Sequence, residues 1–477
     1  MNCYSIIIKI VFVPIVGSAL LPFIGLLSPR VRNIFSLTLV LCSFFLSLSL
    51  LPVVLAKDTV ILPKQFLSTF YFNFTLDGLA VFMAITSSMI SSIIILYSFG
   101  YISHYENQNE YYSMVVLFCG AMMGLIFSAN LILMYIFWEI TAISSWRLIG
   151  FFRKREYITR ANKAFLTTAF GAVAMLLGFI IIYQQTGSFD FSTLKGTTIS
   201  TTAVLLILLG IFSKSATLPF HTWLPDAGIA PSPVTALLHA AVLVKIGVYA
   251  FARLFVVTFS ISEIWQTIVP VIAGVSAIIS AGAALVDNDL KRIIAYSTIS
   301  QIGFIFFGLS IGNETGIAGS LMYILMHGIA KAGLFLCAGI VEQNTKTKDI
   351  REMGGLVKTM PITAVAFLFC SFSVMGIPPF GGFFSKYTLF TGAIEGREFM
   401  ISLVFLIGAI FTILYLLRVF TAVFLGEKDP DKTIKEGSPI MVACVTILAV
   451  LSILGGILIY YPFSFAQFAS KQMLGLL

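Results

Sequence analysis

Apolar stretches of about 20 residues recur from one end of this chain to the other, and a helix of that length crosses about 30 Å of hydrocarbon. Lipid offers no partners to backbone amides, so spans of this kind are helices. Of the 477 residues, 58% are hydrophobic and 10% are charged, which excludes a water-soluble domain of ordinary composition. An outer-membrane barrel is excluded too, because its strands are about 10 residues long and alternate in polarity. The expected fold class is all-α integral membrane.

Reading apolar runs against turn and charge punctuation predicts about fourteen spans. Their cores lie near 6–27, 34–55, 76–99, 112–128, 131–152, 162–183, 201–218, 232–253, 266–286, 291–311, 316–341, 361–388, 401–424 and 438–461. No soluble domain fits between them. The first run lacks a basic start and a small-residue cleavage site, so it reads as a membrane helix rather than a removed signal.

The formal charge of +8 is spread over short loops, not gathered into the patch that nucleic acid requires. Taken alternately, one set of loops holds Arg30, Arg32, Arg153, Lys154, Arg155, Arg160, Lys163, Lys291, Arg292, Lys346, Lys348, Arg351, Lys358, Lys428, Lys432 and Lys435. The other set holds Lys57, Lys64, Lys195, Arg253, Arg397 and Lys471. Basic loops stay in the cytoplasm, which predicts the cell membrane as location and both termini on its outer side. The six cysteines form neither Cys-x-x-Cys nor a Cys/His group, so no metal or cofactor is expected in this chain. Asn73-Phe-Thr and Asn313-Glu-Thr match a glycosylation pattern too short to carry weight.

Two spans are interrupted. Pro219 and Pro225 follow Lys214 in the seventh, and Pro378 and Pro379 precede Lys386 in the twelfth. Proline removes a donor and clashes with the preceding turn, so each helix breaks and leaves carbonyls that only protein or a hydrated cavity satisfies. Paired broken helices five spans apart predict an inverted repeat, since an odd interval reverses direction.

Charges inside the apolar layer cost roughly 2.5 to 3.5 kcal/mol each on insertion scales and are candidates for moving charge. Glu139 lies about 12 Å into the fifth span; a structural ion pair is its alternative role. Lys214 and Lys386 flank the two breaks, where a lysine either carries a proton, because low dielectric disfavours the ammonium, or caps freed carbonyls. His239 and Lys245 share the eighth span but lie six residues apart, so they point in different directions and need water between them. His327 and Lys331 are four apart on one face of the eleventh. Ser297, Ser300 and Gln301 are uncharged groups suited to holding water or to joining helices. His221 belongs to the linker after the first break, as a gate or a plug. Arg147 and Arg418 lie near span ends and read as snorkelling, and Asp77 as a helix-start carboxylate.

Taken together, Trp138-Glu, Lys214 with Leu-Pro-Phe-His-Thr-Trp-Leu-Pro-Asp-Ala, Ala236-Leu-Leu-His, Asp289-Leu-Lys-Arg-Ile-Ile-Ala-Tyr-Ser-Thr-Ile-Ser-Gln, His327 with Lys331, and Gly376-Ile-Pro-Pro-Phe-Gly-Gly-Phe-Phe-Ser-Lys carry a resemblance. They resemble the antiporter-like subunits shared by respiratory complex I, Mrp-type multi-subunit Na+/H+ antiporters and membrane-bound hydrogenases. The resemblance implies about fourteen helices with two inverted five-helix repeats, over 111–255 and 256–425, flanked by 1–110 and 426–477. It implies Glu139 and Lys214 as acid and base of one half-channel, His239 or Lys245 as bridge, Lys331 as centre and Lys386 as terminal carrier of the other. The implied function is proton translocation within a larger membrane assembly, alongside homologous antiporter-like subunits. An Mrp-type cation/proton antiporter or related hydrogenase is the first reading; an NADH- or quinone-linked dehydrogenase is the second. Iron–sulfur clusters, a nickel–iron site or sodium handling would belong to partner subunits. This chain resembles the shorter members, which lack a lateral helix at the carboxyl end.

Overall fold

The computed structural model describes residues 3–56, 60–62, 65–67, 70–71, 73–426 and 435–477; side chains are described outside 60–71. Lys57, Lys64, Lys428 and Lys432 lie outside these residues.

Among the described residues, twelve helices are long and apolar enough to cross a membrane, and two shorter apolar helices, Thr201–Lys214 and Pro361–Met375, are the ones expected to break. The chain is a multi-pass membrane protein. In order, the spans are α1 (Cys3–Leu27), α2 (Pro29–Ala56), α3 (Gly78–Tyr101), α4 (Gln108–Phe127), α5 (Leu131–Ile149) and α6 (Arg155–Thr186). Next come α7 (Thr201–Lys214), α8 (Ser232–Thr258), α9 (Ile264–Val286), α10 (Leu290–Ser310) and α11 (Glu314–Thr345). The last are α12a (Pro361–Met375), α12b (Gly381–Glu395), α13 (Phe399–Leu425) and α14 (Pro439–Ile457).

Four features depart from the expected spans. α6 begins at Arg155 rather than near 162, because the basic first turn is itself helical. α14 ends at Ile457, and Tyr460–Met473 forms a further helix, α15, which packs on α3 and α11 and is too short to cross a membrane. Ser464, Gln467, Ser470, Lys471 and Gln472 break up its apolar residues and hid it from a search for apolar runs. The loop before α3 is not featureless: Val60–Leu62 pairs antiparallel with Phe74–Leu76. Finally, α8 is not a uniform α-helix. It widens to π turns at Leu237–Ala241 and Ala252–Thr258, with Val242 at φ −126° between the first of these and the α-helical Leu243–Phe251.

The helices form an inner group and an outer ring. α11 is the hub and is buried along nearly its whole length, whereas α13 faces outward. Helices α3, α8, α10, α12a, α12b, α14 and α15 all pack on α11.

Two inverted five-helix repeats organise the fold, and their local punctuation keeps step to within a residue. Asn130 and Asp289 cap the N-termini of α5 and α10, and each bridges a loop residue, Asp190 and Asp349 respectively. α6 and α11 are both 32 residues long, and each ends on a left-handed residue, Gly187 and Lys346. The breaks match as well. Phe212 O accepts from Thr217 N and Phe372 O from Ile377 N, around the left-handed Ala216 (φ +53°) and Gly376 (φ +83°).

Candidate functional site

Each break places a lysine in the interior, by different means. Lys214 ends α7, is fully buried, and donates to the Trp138 carbonyl of α5 at 3.2 Å, with its Nζ 5.2 Å from the Trp138 ring. The carbonyl released at this break, Ser213 O, is taken by the Trp223 indole at 3.0 Å. Glu139, the next residue after Trp138, is partly exposed, and its Oε1 is buried without a partner. Lys214 and Glu139 make no direct ion pair, so the purely structural pairing is not present.

Lys386, in α12b, turns back to the other side of its own break and donates to Val374 O at 2.8 Å. Its ammonium lies 4.7 Å from the Phe304 ring and 5.4 Å from the Tyr323 ring. This lysine therefore does cap a freed carbonyl, whereas Lys214 does not.

Between the breaks, Lys245 Nζ contacts His327 Nδ1 at 2.9 Å, joining α8 to α11 with both side chains buried. The other ring nitrogen of His327 is buried and unpartnered. One turn further along α11, Lys331 donates to Ser297 Oγ and to Ile294 O of α10. Ser297 in turn bonds Tyr415 OH at 2.6 Å, and Gln301 bonds Thr412, Tyr323 and, at 3.5 Å, Ser300. His239 is fully buried with neither nitrogen partnered, its ring 4.4 Å from that of Phe335. His239 and Lys245 thus meet different neighbours, and the π turn around His239 sets their relative direction. His221 is partly exposed, with an unpartnered Nδ1, in the linker that also holds Pro219 and Pro225. Pro378 and Pro379 fall between α12a and α12b.

Among the described residues no carboxylate lies in ion-pair contact with Lys214, Lys245, Lys331 or Lys386. Paired cations are found elsewhere, near helix ends and in the linker after α7. Lys291 bonds Glu342 at 2.7 Å, and Asp226 is shared by Lys163 at 2.7 Å and Arg292 at 3.0 Å. Arg147 does not snorkel: it donates to Glu110 Oε1 of α4 at 2.5 Å. Arg418 does not either, since it binds the carbonyls of Leu285 and Asp287 and the Asn288 side chain where α9 ends. Asp77 caps α3 as expected, accepting from Ala80 N, and also forms a buried two-pronged pair with Arg253, which bonds Tyr249 at 3.0 Å. Nothing in the sequence signals that pair across 176 residues. Sequence reasoning missed Tyr323, Thr412 and Tyr415, the partners of Gln301 and Ser297. Asn313 caps α11 and donates to Gly392 O.

The described residues contain no group of three or more His, Cys, Asp or Glu able to hold a metal ion. What the arrangement offers instead is a series of amines and imidazoles, interleaved with hydroxyls and amides, in an apolar interior.

Comparisons with known proteins agree with this architecture. Residues 67–112 match the family described as NADH-Ubiquinone oxidoreductase (complex I), chain 5 N-terminus. The chain is 32% identical over 484 aligned residues to Na(+)/H(+) antiporter subunit A1 of Staphylococcus aureus, covering 94% of this chain and 60% of that protein. It thus spans about 60% of the length of the curated relatives it matches. In fold it resembles a chain of the Mrp complex from Dietzia sp. DQ12-45-1b, with a TM-score of 0.91 and 22% identity over 99% of this chain and 98% of that one. It also resembles a chain of the membrane-bound sulfane sulfur reductase, an archaeal respiratory membrane complex, with a TM-score of 0.89 and 21% identity over 98% and 97% of the two chains. Because residues 128–412, more than half of the chain, match the family described as NADH:quinone oxidoreductase/Mrp antiporter, TM, the chain belongs to that family of membrane subunits.

Proposed function

We propose that this chain is a proton-translocating subunit of a multi-subunit Mrp-type cation/proton antiporter in the cytoplasmic membrane, working beside homologous membrane subunits. The observation that carries the proposal is the set of four lysines, 0 to 5% exposed and without carboxylate partners. A buried, unpaired ammonium is costly, so the group has reason to release its proton when its surroundings change. The relatives named Na(+)/H(+) antiporter subunit A1 support the counter-ion, and the charge asymmetry of the loops supports both termini on the outer side.

In this reading, motion of Lys214 toward or away from Glu139 changes which of the two holds the proton. The proton then passes by Lys245 and His327 to Lys331 and Lys386, with the 2.9 Å contact favouring Lys245 over His239 as the bridge. Unpartnered polar atoms on Ser215, His239 and His327 are suited to holding the waters that complete the path. The repeats run over 111–255 and 256–425, in keeping with the matched punctuation. Sodium needs several oxygen ligands, which this interior does not gather, so the proposal leaves it to other subunits.

The test is proton-coupled sodium efflux by the reconstituted assembly. Glu139→Gln and Lys214→Ala should each abolish it while the assembly still forms; intact efflux in both variants would refute the role of the pair. The family description also names NADH:quinone oxidoreductase, which favours a second reading as the proton-pumping subunit of a quinone-linked dehydrogenase. Co-purification of redox subunits with the chain would select it.

A further inference from the structure

Far from the lysines, the turn between α1 and α2 holds a different kind of charge. Arg32 is 3% exposed, yet among the described residues no carboxylate pairs with it. Its guanidinium is held by amide oxygens alone: Asn33 Oδ1 at 2.8 and 3.1 Å, Asn109 Oδ1 at 2.5 Å and Gln108 Oε1 at 2.8 Å. The group also lies 4.8 Å from the centre of the Tyr112 ring. Neutral acceptors orient a guanidinium but leave its full charge uncompensated, which is costly for a group withdrawn from water.

The arginine borders an open cavity of about 670 Å³, lined also by Gly25, Asn107, Asn109, Glu110 and Arg153. Several features fit this cavity to an anion. Gly25 makes the arginine's seat: a Cβ there would lie 2.0 Å from Asn109 Oδ1 and 2.9 Å from Arg32 Cδ. Asn107 and Arg153 hold left-handed backbone at φ +60° and +56° where the chain turns beside the cavity. The carboxylate of Glu110 is already engaged by Arg147 and Arg153, while that of Glu106 stands exposed at the rim. Around the turn, Phe23, Leu26, Leu27, Val31 and Ile34 are 54 to 88% exposed, an apolar collar at the end of two membrane helices.

We propose that this cavity binds the phosphate of a membrane phospholipid, with the headgroup against Arg32 and the acyl chains along the exposed collar. A phosphate diester supplies the missing charge and takes the one guanidinium N–H, on Nη1, that the amide oxygens leave free. The collar distinguishes a lipid from a free anion, since an inorganic ion has no use for exposed leucines beside its site. Glu106 selects against further negative charge on the headgroup and so favours a lipid with a single anionic phosphate.

The experiment uses the purified assembly carrying the full chain, stripped of lipid and titrated with phosphatidylglycerol while its thermal midpoint is followed. Monogalactosyl-diacylglycerol, which has chains but no phosphate, and inorganic phosphate, which has no chains, serve as controls. Phosphatidylglycerol should raise the midpoint, and neither control should. Arg32→Gln should weaken the response about tenfold, Gly25→Ala should weaken it by crowding the guanidinium, and Arg32→Lys should recover part of it. An equal response to either control, or an undiminished response in Arg32→Gln, overturns the proposal. If Arg32→Gln does not assemble, Arg32→Lys and Gly25→Ala decide it by the same comparison.

Discussion

The two halves of the molecule share a backbone plan and differ in chemistry. Adding 159 or 160 to a position in the first half reaches its counterpart in the second, and the caps, the left-handed helix ends and the break hydrogen bonds all survive that step. The charges do not. Glu139 corresponds to Thr298, Lys331 to Ala172, Lys214 to Val374 and Lys386 to Asp226. The first half brings a lysine to the backbone of a helix whose next residue is a carboxylate. The second surrounds its lysine with hydroxyls and an amide. Caps and breaks are set by local backbone sterics and hydrogen bonding, which a duplicated segment must keep to fold. Buried titratable groups are fold-neutral at best, so each half is free to hold different ones.

The comparison is sharpened most by removing one central amine from each half. Lys331→Met should lower proton-coupled transport in reconstituted vesicles by about 10²-fold or more, the scale on which a positioned proton-transfer group acts. Lys214→Met should do the same, and a large effect in only one half would break the view that both conduct. Neither change should destabilise the fold, because each removes an uncompensated buried charge.

A buried charge that does have a partner should behave oppositely. Arg253→Met leaves Asp77 unpaired and should cost about 3–5 kcal/mol, read as a fall in thermal midpoint; Asp77→Asn combined with Arg253→Met should recover part of it. Equal tolerance of Arg253→Met and Lys331→Met would erase the distinction between paired and unpaired sites.

A smaller effect probes how α8 rests on the first break. A Cβ on Gly247 would lie 2.0 Å from Ser215 Oγ and 2.6 Å from Ile211 O, so Gly247→Ala should destabilise by about 1–3 kcal/mol. It should also slow transport by shifting the residue next to Lys214. The smallest effect belongs to the hydroxyl ladder of the second half. Tyr415→Phe removes one hydrogen bond to Ser297 and should cost about 0.5–1.5 kcal/mol, with a modest decrease in transport rate.

Much of this was legible in the sequence, for physical reasons that also explain what was not. Apolar run length and proline placement located the spans and both breaks, because lipid imposes those constraints on each segment separately. The buried lysines stood out for the same reason. Partner choice was hidden wherever it joined distant segments: spacing put His327 on one helix face with Lys331, whereas its direct contact is Lys245 of α8. The azimuth reasoning for His239 and Lys245 assumed an even 3.6-residue helix, and the π turns of α8 lie outside that assumption. α15 was missed because its fourteen residues are too short and too mixed in polarity to read as an apolar span.

Glu139 is flanked along its helix by Ile136 and Ile143, which are 41% and 50% exposed, so its side of α5 faces outward. In a solitary copy of the chain, that outward side would present an acid to acyl chains, at the roughly 2.5 to 3.5 kcal/mol that insertion scales give a mid-membrane charge. If a neighbouring helix covered that side, as the proposed assembly would allow, the cost would fall.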